Sequence, residues 1–110
     1  MPDIGDIYTA IIYFKGHSRN FKVRPVLVLN DLNNGWYTIA EITSISPKNP
    51  PGYYDLYKEP ILNWQECGLN EPSFVKCKNI HNVEEIRLHN KIGTMNYNDF
   101  INIVDKILIY

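Results

Sequence analysis

Residues 25–29, PVLVL, form a short apolar run in which four of five side chains are branched aliphatics, and Arg24 comes directly before it. A run of this length between polar segments is typical of a strand buried on both faces. Pro25 suits the start of such a strand, because proline lacks the N–H that a central position in a sheet requires. A charged guanidinium thus lies at the start of a buried strand. Such a group is expected either to form an ion pair or to bind a ligand.

Other short runs of β-branched and aromatic residues predict the remaining strands. In the run at 36–44 the side chains alternate, so that Tyr37, Ile39, Glu41 and Thr43 share one face. The predicted strands lie at residues 7–14, 24–29, 36–44, 73–77 and 92–95, with 53–57 as a further candidate. The sequence therefore predicts five to seven short strands, mostly antiparallel.

Polar and proline-rich segments separate these strands. The segment KGHSRNFK, residues 15–22, predicts a polar loop. Three prolines and a glycine within residues 47–52 predict an irregular surface loop. Residues 61–69 are ambiguous and favour a helical turn that ends at Gly68.

The C-terminal segment predicts a helix. Asn96 can cap its N-terminus, with Asp99 three residues later in an arrangement like a capping box. The apolar side chains then recur with helical spacing and make one apolar face, formed by Phe100, Ile101, Val104, Ile107 and Leu108. Together with the strands, this helix predicts a mainly β, α+β domain: a small barrel or curled sheet closed by a C-terminal helix.

Composition limits the class of protein. The 110 residues are expected to form a single domain, 1–110, and 45% hydrophobic and 21% charged residues indicate a globular protein. No apolar run approaches the ~20 residues of a membrane span, and the N-terminus lacks a signal-peptide pattern, so we expect a cytoplasmic location. Cys67 and Cys77 are expected to be reduced and buried. Neither they nor three scattered histidines have metal-site spacing, so no metal or cofactor is expected.

The distribution of charge is more informative than the net charge of −1. One segment of ten residues contains no acid and carries five basic side chains, namely Lys15, His17, Arg19, Lys22 and Arg24. Such a patch on a nearly neutral chain is typical of a surface that binds a polyanion, or it is a solvated loop with a chance run of charge.

Arg24 has two interpretations. A guanidinium held by a rigid strand can bind a phosphate through two parallel hydrogen bonds. Alternatively, Arg24 forms a structural ion pair with Asp6 or Glu41, and its position alone favours the ion pair.

Two further side chains at strand ends also have both a functional and a purely structural interpretation. Thr43, followed by Ser44, could donate its hydroxyl hydrogen to a phosphoryl oxygen, although threonine is also common in strands for its conformation alone. His17 could act as a general acid or base, or it is simply an exposed loop histidine.

Taken together, these motifs resemble the MazF/PemK family of toxins from bacterial type II toxin–antitoxin pairs. The resemblance covers nearly the whole chain, in the order GDIY at 5–8, GH at 16–17, RPVLVL at 24–29, ITS at 42–44, GLNEPSFV at 68–75 and IGTM at 92–95. It implies an SH3-like barrel with a C-terminal helix, and usually a two-fold homodimer. It also implies a metal-independent endoribonuclease that cleaves single-stranded RNA, such as mRNA, at short sequences.

The resemblance also implies roles for particular residues. Arg24 and Thr43 match active-site positions of the family, which reverses the preference for an ion pair at Arg24. His17 resembles a histidine that PemK-like members contribute from the first loop, although that loop is longer here. A cognate antitoxin is implied as a partner, whose disordered acidic segment would fold in the basic groove.

The strand after Ser73 departs from the family pattern. Lys78 stands where many relatives carry an acid, and Asn79 stands where they carry glutamine or histidine, so the usual acid–base assignment does not transfer. The side chains expected to contact RNA are Lys15, Arg19, Lys22, Ser44, Lys76, Lys78 and Asn79. Three tyrosines are candidate stacking platforms or, equally, packing residues of a core or dimer seam, namely Tyr53, Tyr54 and Tyr57.

Two other functions stay open. The first is a non-enzymatic toxin of the same barrel fold that acts on a protein target such as DNA gyrase. The second is a degenerate relative that binds RNA without cutting it, an alternative that Lys78 keeps open. The pair formed by RP at 24–25 and TS at 43–44 favours the nuclease.

Overall fold

A computed structural model describes residues 1–14 and 17–110, apart from the side chains of residues 14, 17–19 and 54. The described residues form six strands and one α-helix in the order β1 Asp6–Phe14, β2 His17–Asp31, β3 Trp36–Thr43, β4 Lys58–Pro60, β5 Phe74–Glu84, β6 Leu88–Thr94 and α1 Tyr97–Ile109. Short 3₁₀ helices lie at Tyr53–Asp55 and Glu85–Arg87.

The six strands form one antiparallel sheet in the order β4-β5-β3-β2-β1-β6. The mainly β fold with a C-terminal helix is therefore confirmed. In the described part of the chain the sheet does not close into the predicted barrel, since β4 and β6 are its two edges. No helix among the described residues has the length and apolar character needed to cross a membrane.

Each face of the sheet buries its own apolar cluster, as the alternation in β3 predicts. The helix core lies on the side of α1 and contains Ile7, Leu27, Ala40, Ile42, Ile61, Cys67, Val75, Cys77, Met95 and Ile103. The second core lies on the other face and contains Ala10, Ile12, Val26, Val28, Tyr37, Ile39, Val83 and Leu88. The odd-numbered residues of β3 thus face the second core and the even-numbered ones face the helix core.

The predicted start of β2 is wrong. The strand begins at His17, and most of the predicted polar loop at 15–22 belongs to it, because Phe21 and Lys22 pair with β1. Backbone pairing in a hairpin needs no apolar side chains, so composition gave no signal. Pro25 therefore lies inside β2, opposite Thr9 of β1.

The predicted strand at 53–57 is also wrong, since Tyr53–Asp55 forms a 3₁₀ helix and β4 begins only at Lys58. The side chain of Asp55 accepts hydrogen bonds from the backbone N–H groups of Lys48 and Gly52, at 3.0 and 2.9 Å, and these close a local turn. A short polar side chain that bonds its own backbone competes with strand formation.

The C-terminal helix begins as predicted. The Asn96 side chain accepts hydrogen bonds from the N–H groups of Asn98 and Asp99. The capping box is not formed, because the Asp99 carboxylate accepts instead from the backbone N–H of Asn63, at 2.9 Å. Asp99 thus fastens segment 61–69 to the first turn of α1.

The apolar face of α1 is only partly the predicted one. Phe100 and Ile107 pack against the helix core as expected, but the fully buried residue is Ile103. Ile101 and Leu108 are exposed, Leu108 by 79%. The helix is therefore rotated toward Ile103, and part of its apolar surface faces outward.

Segment 61–69 crosses β6 at close range. A helical turn ends at Gly68 as predicted, with hydrogen bonds from Cys67 N–H to the Trp64 carbonyl and from Gly68 N–H to the Gln65 carbonyl. Gly68 has a φ of +83°, and a Cβ built on Gly93 would lie 2.1 Å from the Cys67 carbonyl oxygen. The two glycines allow the backbones to touch, which sets the position of the residues that follow Gly68.

Both cysteines are free thiols and buried, as predicted. Burial raises the pKa of the Cys77 thiol to about 12, with the nearby Glu59 adding to the shift. A thiol of this kind packs as a small apolar side chain and is not a nucleophile.

Gly93→Ala should destabilise the fold by roughly 1–3 kcal/mol, because the new methyl group meets backbone atoms that cannot rotate away. Urea denaturation measures the change. Gly52→Ala is the matched control, since Gly52 has an ordinary φ of −78° and the added carbon would meet only the Asp55 side chain, at 3.4 Å. Equal unfolding free energies for the two variants would contradict the close crossing.

Candidate functional site

A cleft opens where β3 separates from β2. The two strands pair at Val26 and Glu41, whereas Ile42 and Thr43 pair with β5 on the other side. The cleft has a volume of about 400 Å³ and is lined by Thr9, Arg24, Pro25, Ile42, Thr43, Ser44, Gly68, Leu69, Asn70, Glu71, Ser73 and Ile92. The structure thus brings together three of the residues singled out from the sequence, at 24, 43 and 44.

Arg24 is half-buried at this cleft. Neither carboxylate considered as its partner takes that role: Asp6 contacts Thr94 and Lys91, and Glu41 contacts Lys22 and His81. Among the described side chains Arg24 therefore has no ion pair, and its guanidinium is available to a ligand.

Thr43 is held in place by the start of the next loop. Its hydroxyl oxygen accepts a hydrogen bond from the Ile45 N–H at 3.1 Å, and the side chain is almost fully buried. None of the described groups accepts the hydroxyl hydrogen, so it is available for donation to a ligand in the cleft. The next residue, Ser44, is exposed.

Glu41 is a buried carboxylate on the same face of β3 as Thr43. It is 2% exposed, with Lys22 Nζ 2.9 Å from Oε1 and His81 Nε2 2.7 Å from Oε2. Burial raises the pKa of the Glu41 carboxyl, but the hydrogen bonds from Lys22 and His81 outweigh it and hold the pKa below its ordinary value. Glu41 is therefore an ionised group bound from β2 and β5.

The sequence interpretation considered Glu41 only as a partner of Arg24 and did not select His81. A signal was present, because Glu41 follows Tyr37 and Ile39 on one strand face, and an acid on an apolar face requires a buried partner. The identity of that partner depends on strand register, which the sequence does not show.

β5 carries a large bulge opposite Glu41. Ala40 pairs with Ile80 and Ile42 pairs with Val75, so residues 76–79 of β5 stand against a single residue of β3. Bulges of this kind occur often beside active sites, where they redirect side chains. This one carries three of the predicted RNA contacts, at positions 76, 78 and 79.

Lys76 lies close both to Arg24 of the first cleft and to the buried carboxylate of Glu41. Burial lowers the pKa of its ammonium group, Glu41 acts in the opposite direction, and the charges of Lys22, Lys58 and Arg24 lower it further. The face between β2, β3 and β5 therefore concentrates positive charge around one buried carboxylate.

A second cleft of about 410 Å³ lies beside the bulge and is lined by Tyr53, Tyr57, Lys76, Lys78 and Asn79. Lys78 donates a hydrogen bond to the Tyr110 carbonyl, and its Nζ lies 5.3 Å from the centre of the Tyr57 ring. Tyr57 packs on the helix core, whereas Tyr53 is 76% exposed. Of these two rings, Tyr53 is the more exposed.

Four predicted site residues line neither cleft in the described part of the structure, and one of them is Lys22, whose side chain is described. Lys15 lies outside the described residues. His17 and Arg19 belong to β2 by their backbone, but their side chains lie outside the described part of the structure. The side chain of Tyr54 does so as well. Among the described side chains, no group of three or more His, Cys, Asp or Glu is arranged to hold a metal ion.

The loop after Thr43 is fastened by Asp55 and Lys58. The Asp55 carboxylate, which closes the turn at Gly52, also pairs with Lys58 Nζ at 2.9 Å, and Lys58 donates to the Ile45 carbonyl at 3.1 Å. The backbone bond from Lys48 and the Lys58 ammonium group hold the pKa of Asp55 far below its ordinary value. This loop borders both clefts.

Comparison with known proteins agrees with this architecture. Residues 3–110 match the family model described as PemK-like, MazF-like toxin of type II toxin–antitoxin system. No curated protein sequence matches the chain significantly.

Three solved structures illustrate the similarity. The Mycobacterium tuberculosis toxin MazF-mt6 is 24% identical, with 93% of this chain and 91% of that chain covered and a TM-score of 0.67. MazE–MazF from Deinococcus radiodurans is 14% identical, covering 96% and 91%, with a TM-score of 0.70. A mycobacterial endoribonuclease in complex with its cognate antitoxin is 14% identical, covering 97% and 88%, with a TM-score of 0.62. These similarities establish the fold.

Asp55→Asn should reduce stability most at neutral pH. A carboxyl whose pKa is depressed in the folded state stabilises that state above its unfolded pKa, about 3.8, and loses the contribution as the pH falls further. Urea denaturation between pH 8 and pH 3 should therefore show a difference between wild type and variant that shrinks below about pH 4. The exposed helix variant Asp105→Asn should retain the pH dependence of the wild type; a difference at Asp55 that does not vary with pH would rule out the ionic anchor.

Proposed function

The chain belongs to the PemK-like, MazF-like family of toxins of type II toxin–antitoxin systems, and we propose that it is an endoribonuclease that cleaves single-stranded RNA without a metal ion. The observation that carries this proposal is Arg24, a half-buried guanidinium with no described carboxylate partner, beside Thr43 in one cleft. A structural neighbour named as an endoribonuclease supports it.

The reaction begins when the 2′-hydroxyl of the RNA attacks the adjacent phosphorus. Negative charge then develops on the phosphoryl oxygens, and Arg24 is suited to bind them through two parallel hydrogen bonds. Thr43 adds a donor from the neighbouring strand end. A fixed donor of this kind contributes about 3 kcal/mol to the stabilisation of a transition state.

His17 completes the catalytic set that we propose, as a general acid or base. Its assignment rests on the resemblance of Gly16-His17 to the Gly-His pair of PemK-like toxins. Arginine cannot take a proton in this reaction, because its guanidinium stays charged.

The RNA would follow the basic face beside the two clefts. Its backbone would contact Lys15, Arg19, Lys22, Ser44, Lys76, Lys78 and Asn79. A splayed base could stack on the exposed ring of Tyr53. Lys22 is already bound to Glu41, so it would contribute as a positioned charge.

We also propose a homodimer and a cognate antitoxin, acting on mRNA in the cytoplasm. The exposed apolar residues of α1, Ile101, Leu108 and Ile109, are suited to a subunit seam. Two structural neighbours are complexes of a toxin with an antitoxin, and a disordered acidic segment would complement the basic face here.

Arg24→Ala should lower the rate of RNA cleavage by at least ~100-fold, because the guanidinium contacts the charge that develops in the transition state. Cleavage of a long single-stranded RNA in EDTA measures this effect. The melting temperature should stay within about 2 °C of the wild type, because no described ion pair is lost.

The control for Arg24→Ala is Arg87→Ala, which removes a guanidinium that lies 4.5 Å from the Tyr13 ring and should leave cleavage nearly unchanged. Unchanged cleavage in Arg24→Ala, or loss of its fold, would refute the catalytic role. Intact RNA with wild-type protein, together with inhibition of DNA gyrase, would favour the non-enzymatic toxin.

Lys76→Met should reduce the salt dependence of RNA binding. Each lysine that neutralises a phosphate of single-stranded RNA contributes about 0.7 to the slope of log affinity against log salt. Binding is measured in the Arg24→Ala background, where cleavage is blocked, over a series of salt concentrations. Lys106→Met on α1 should retain the full slope, and an unchanged slope in Lys76→Met would exclude this lysine from the RNA path.

A further inference from the structure

The proposed cleavage requires a group that takes the proton of the 2′-hydroxyl, and Lys78 stands where the family resemblance predicts an acid. Lys78 carries no lone pair when charged, and it donates to the Tyr110 carbonyl. The described part of the structure offers another group that combines an imidazole ring, a fixed orientation and access to solvent. That group is His81 on Glu41.

We propose that His81 is the general base of RNA cleavage and that Glu41 is the residue that positions it. The proposal rests on the proposed endoribonuclease function; it assigns the general base to His81 and leaves His17 the role of the general acid.

The sheet places this pair on the correct face. His81 lies opposite Ile39 of β3, and Glu41 and Thr43 follow on the same face at steps of about 7 Å. His81 and Thr43 therefore flank Glu41. Arg24 and Glu41 both act on the ammonium group of Lys76, so the phosphate-binding group and the carboxylate that positions His81 lie around the same lysine.

The hydrogen bond to Glu41 determines the tautomer of the ring. Glu41 is ionised and can only accept, so Nε2 of His81 carries the hydrogen that lies between them, at 2.7 Å. Nδ1 of the neutral ring then holds a lone pair. The His81 side chain is 39% exposed, which leaves it accessible to RNA, whereas the Glu41 side chain is 3% exposed.

The proton balance is simple. Nδ1 takes the proton from the 2′-hydroxyl as the bond between the 2′-oxygen and phosphorus forms. The bond between phosphorus and the 5′-oxygen breaks, the 5′-oxygen takes a proton from His17, which regains one from solvent, and the products are a 2′,3′-cyclic phosphate and a 5′-hydroxyl. The ring finally returns its proton to solvent, so no further reactant is needed.

The charged groups described around this pair come from three strands. Lys22 from β2 binds the other oxygen of Glu41, and Lys76 faces the carboxylate from the bulge of β5. Arg24 from β2 and Lys58 from β4 lie close to Lys76, and Lys58 is neutralised by Asp55. Glu41 is therefore the anion that offsets an imidazolium in this cationic environment.

The decisive variant is His81→Gln in the full chain. Glutamine keeps an N–H donor for Glu41 but cannot take up a proton, so the fold should be retained. We expect kcat to fall by at least ~100-fold with KM changed by less than about threefold. We also expect the acid limb of the plot of log kcat against pH to disappear, an effect that a purely structural role would not produce.

His89→Gln is the matched control, because His89 is exposed on β6, an edge strand that pairs with β1 and not with β3 or β5. It should keep the rate and the acid limb of the wild type. Glu41→Gln should lower kcat as well, and if it does not fold, His81→Gln alone decides.

A His81→Gln enzyme that cleaves at the wild-type rate, or retains the acid limb, would overturn the inference while leaving the endoribonuclease function intact. A wild-type protein that cuts no RNA would overturn both. The two failures are therefore distinguishable in one set of measurements.

Discussion

β2 and β3 are neighbours in the sheet as far as Val26 and Glu41, and beyond that pair they separate. Proline at position 25 cannot donate a hydrogen bond, so it is tolerated where β2 has lost one neighbour. Thr43 stays paired with Phe74 of β5, whereas Arg24 stays paired with Ala10 of β1. Both side chains are therefore held by rigid strands across a gap wide enough for a ligand.

The separation also determines the electrostatics of the site. Glu41 stands at the last pair before the gap and is bound by Lys22 from one neighbouring strand and His81 from the other. A buried ion pair costs several kcal/mol to desolvate, and removal of one partner leaves that cost uncompensated. The cluster of Glu41, Lys22 and His81 is therefore poor evidence that the fold is stabilised. It is better evidence that Glu41 fixes the orientation of the Lys22 and His81 side chains.

Much of the fold could be predicted because its signals are local. Alternation along β3 correctly assigned Tyr37 and Ile39 to one face, and Asn96 identified the start of α1. The extent of β2 could not be predicted, because backbone pairing with β1 decides it and leaves no trace in side-chain chemistry. The inward rotation of α1 at Ile103 likewise depends on the surface that the helix meets.

The candidate site likewise has one part that local sequence motifs predict and another part that depends on tertiary structure. Arg24 and Thr43 belong to short motifs that a sequence displays directly, and their common cleft follows from strand ends. The contact between Glu41 and His81 joins positions 40 residues apart, and it depends on a bulge in β5 that no residue pattern announced.

The bulge in β5 also carries Lys78, the residue at the position where many relatives have an acid. An exposed lysine at this position cannot take a proton while it remains charged, and it is already engaged by the Tyr110 carbonyl. The carboxylate of the site comes instead from Glu41 on the neighbouring strand, buried and opposite the bulge. A buried carboxylate is too enclosed to meet RNA itself, so in the proposed reaction it acts through its more exposed partner, His81.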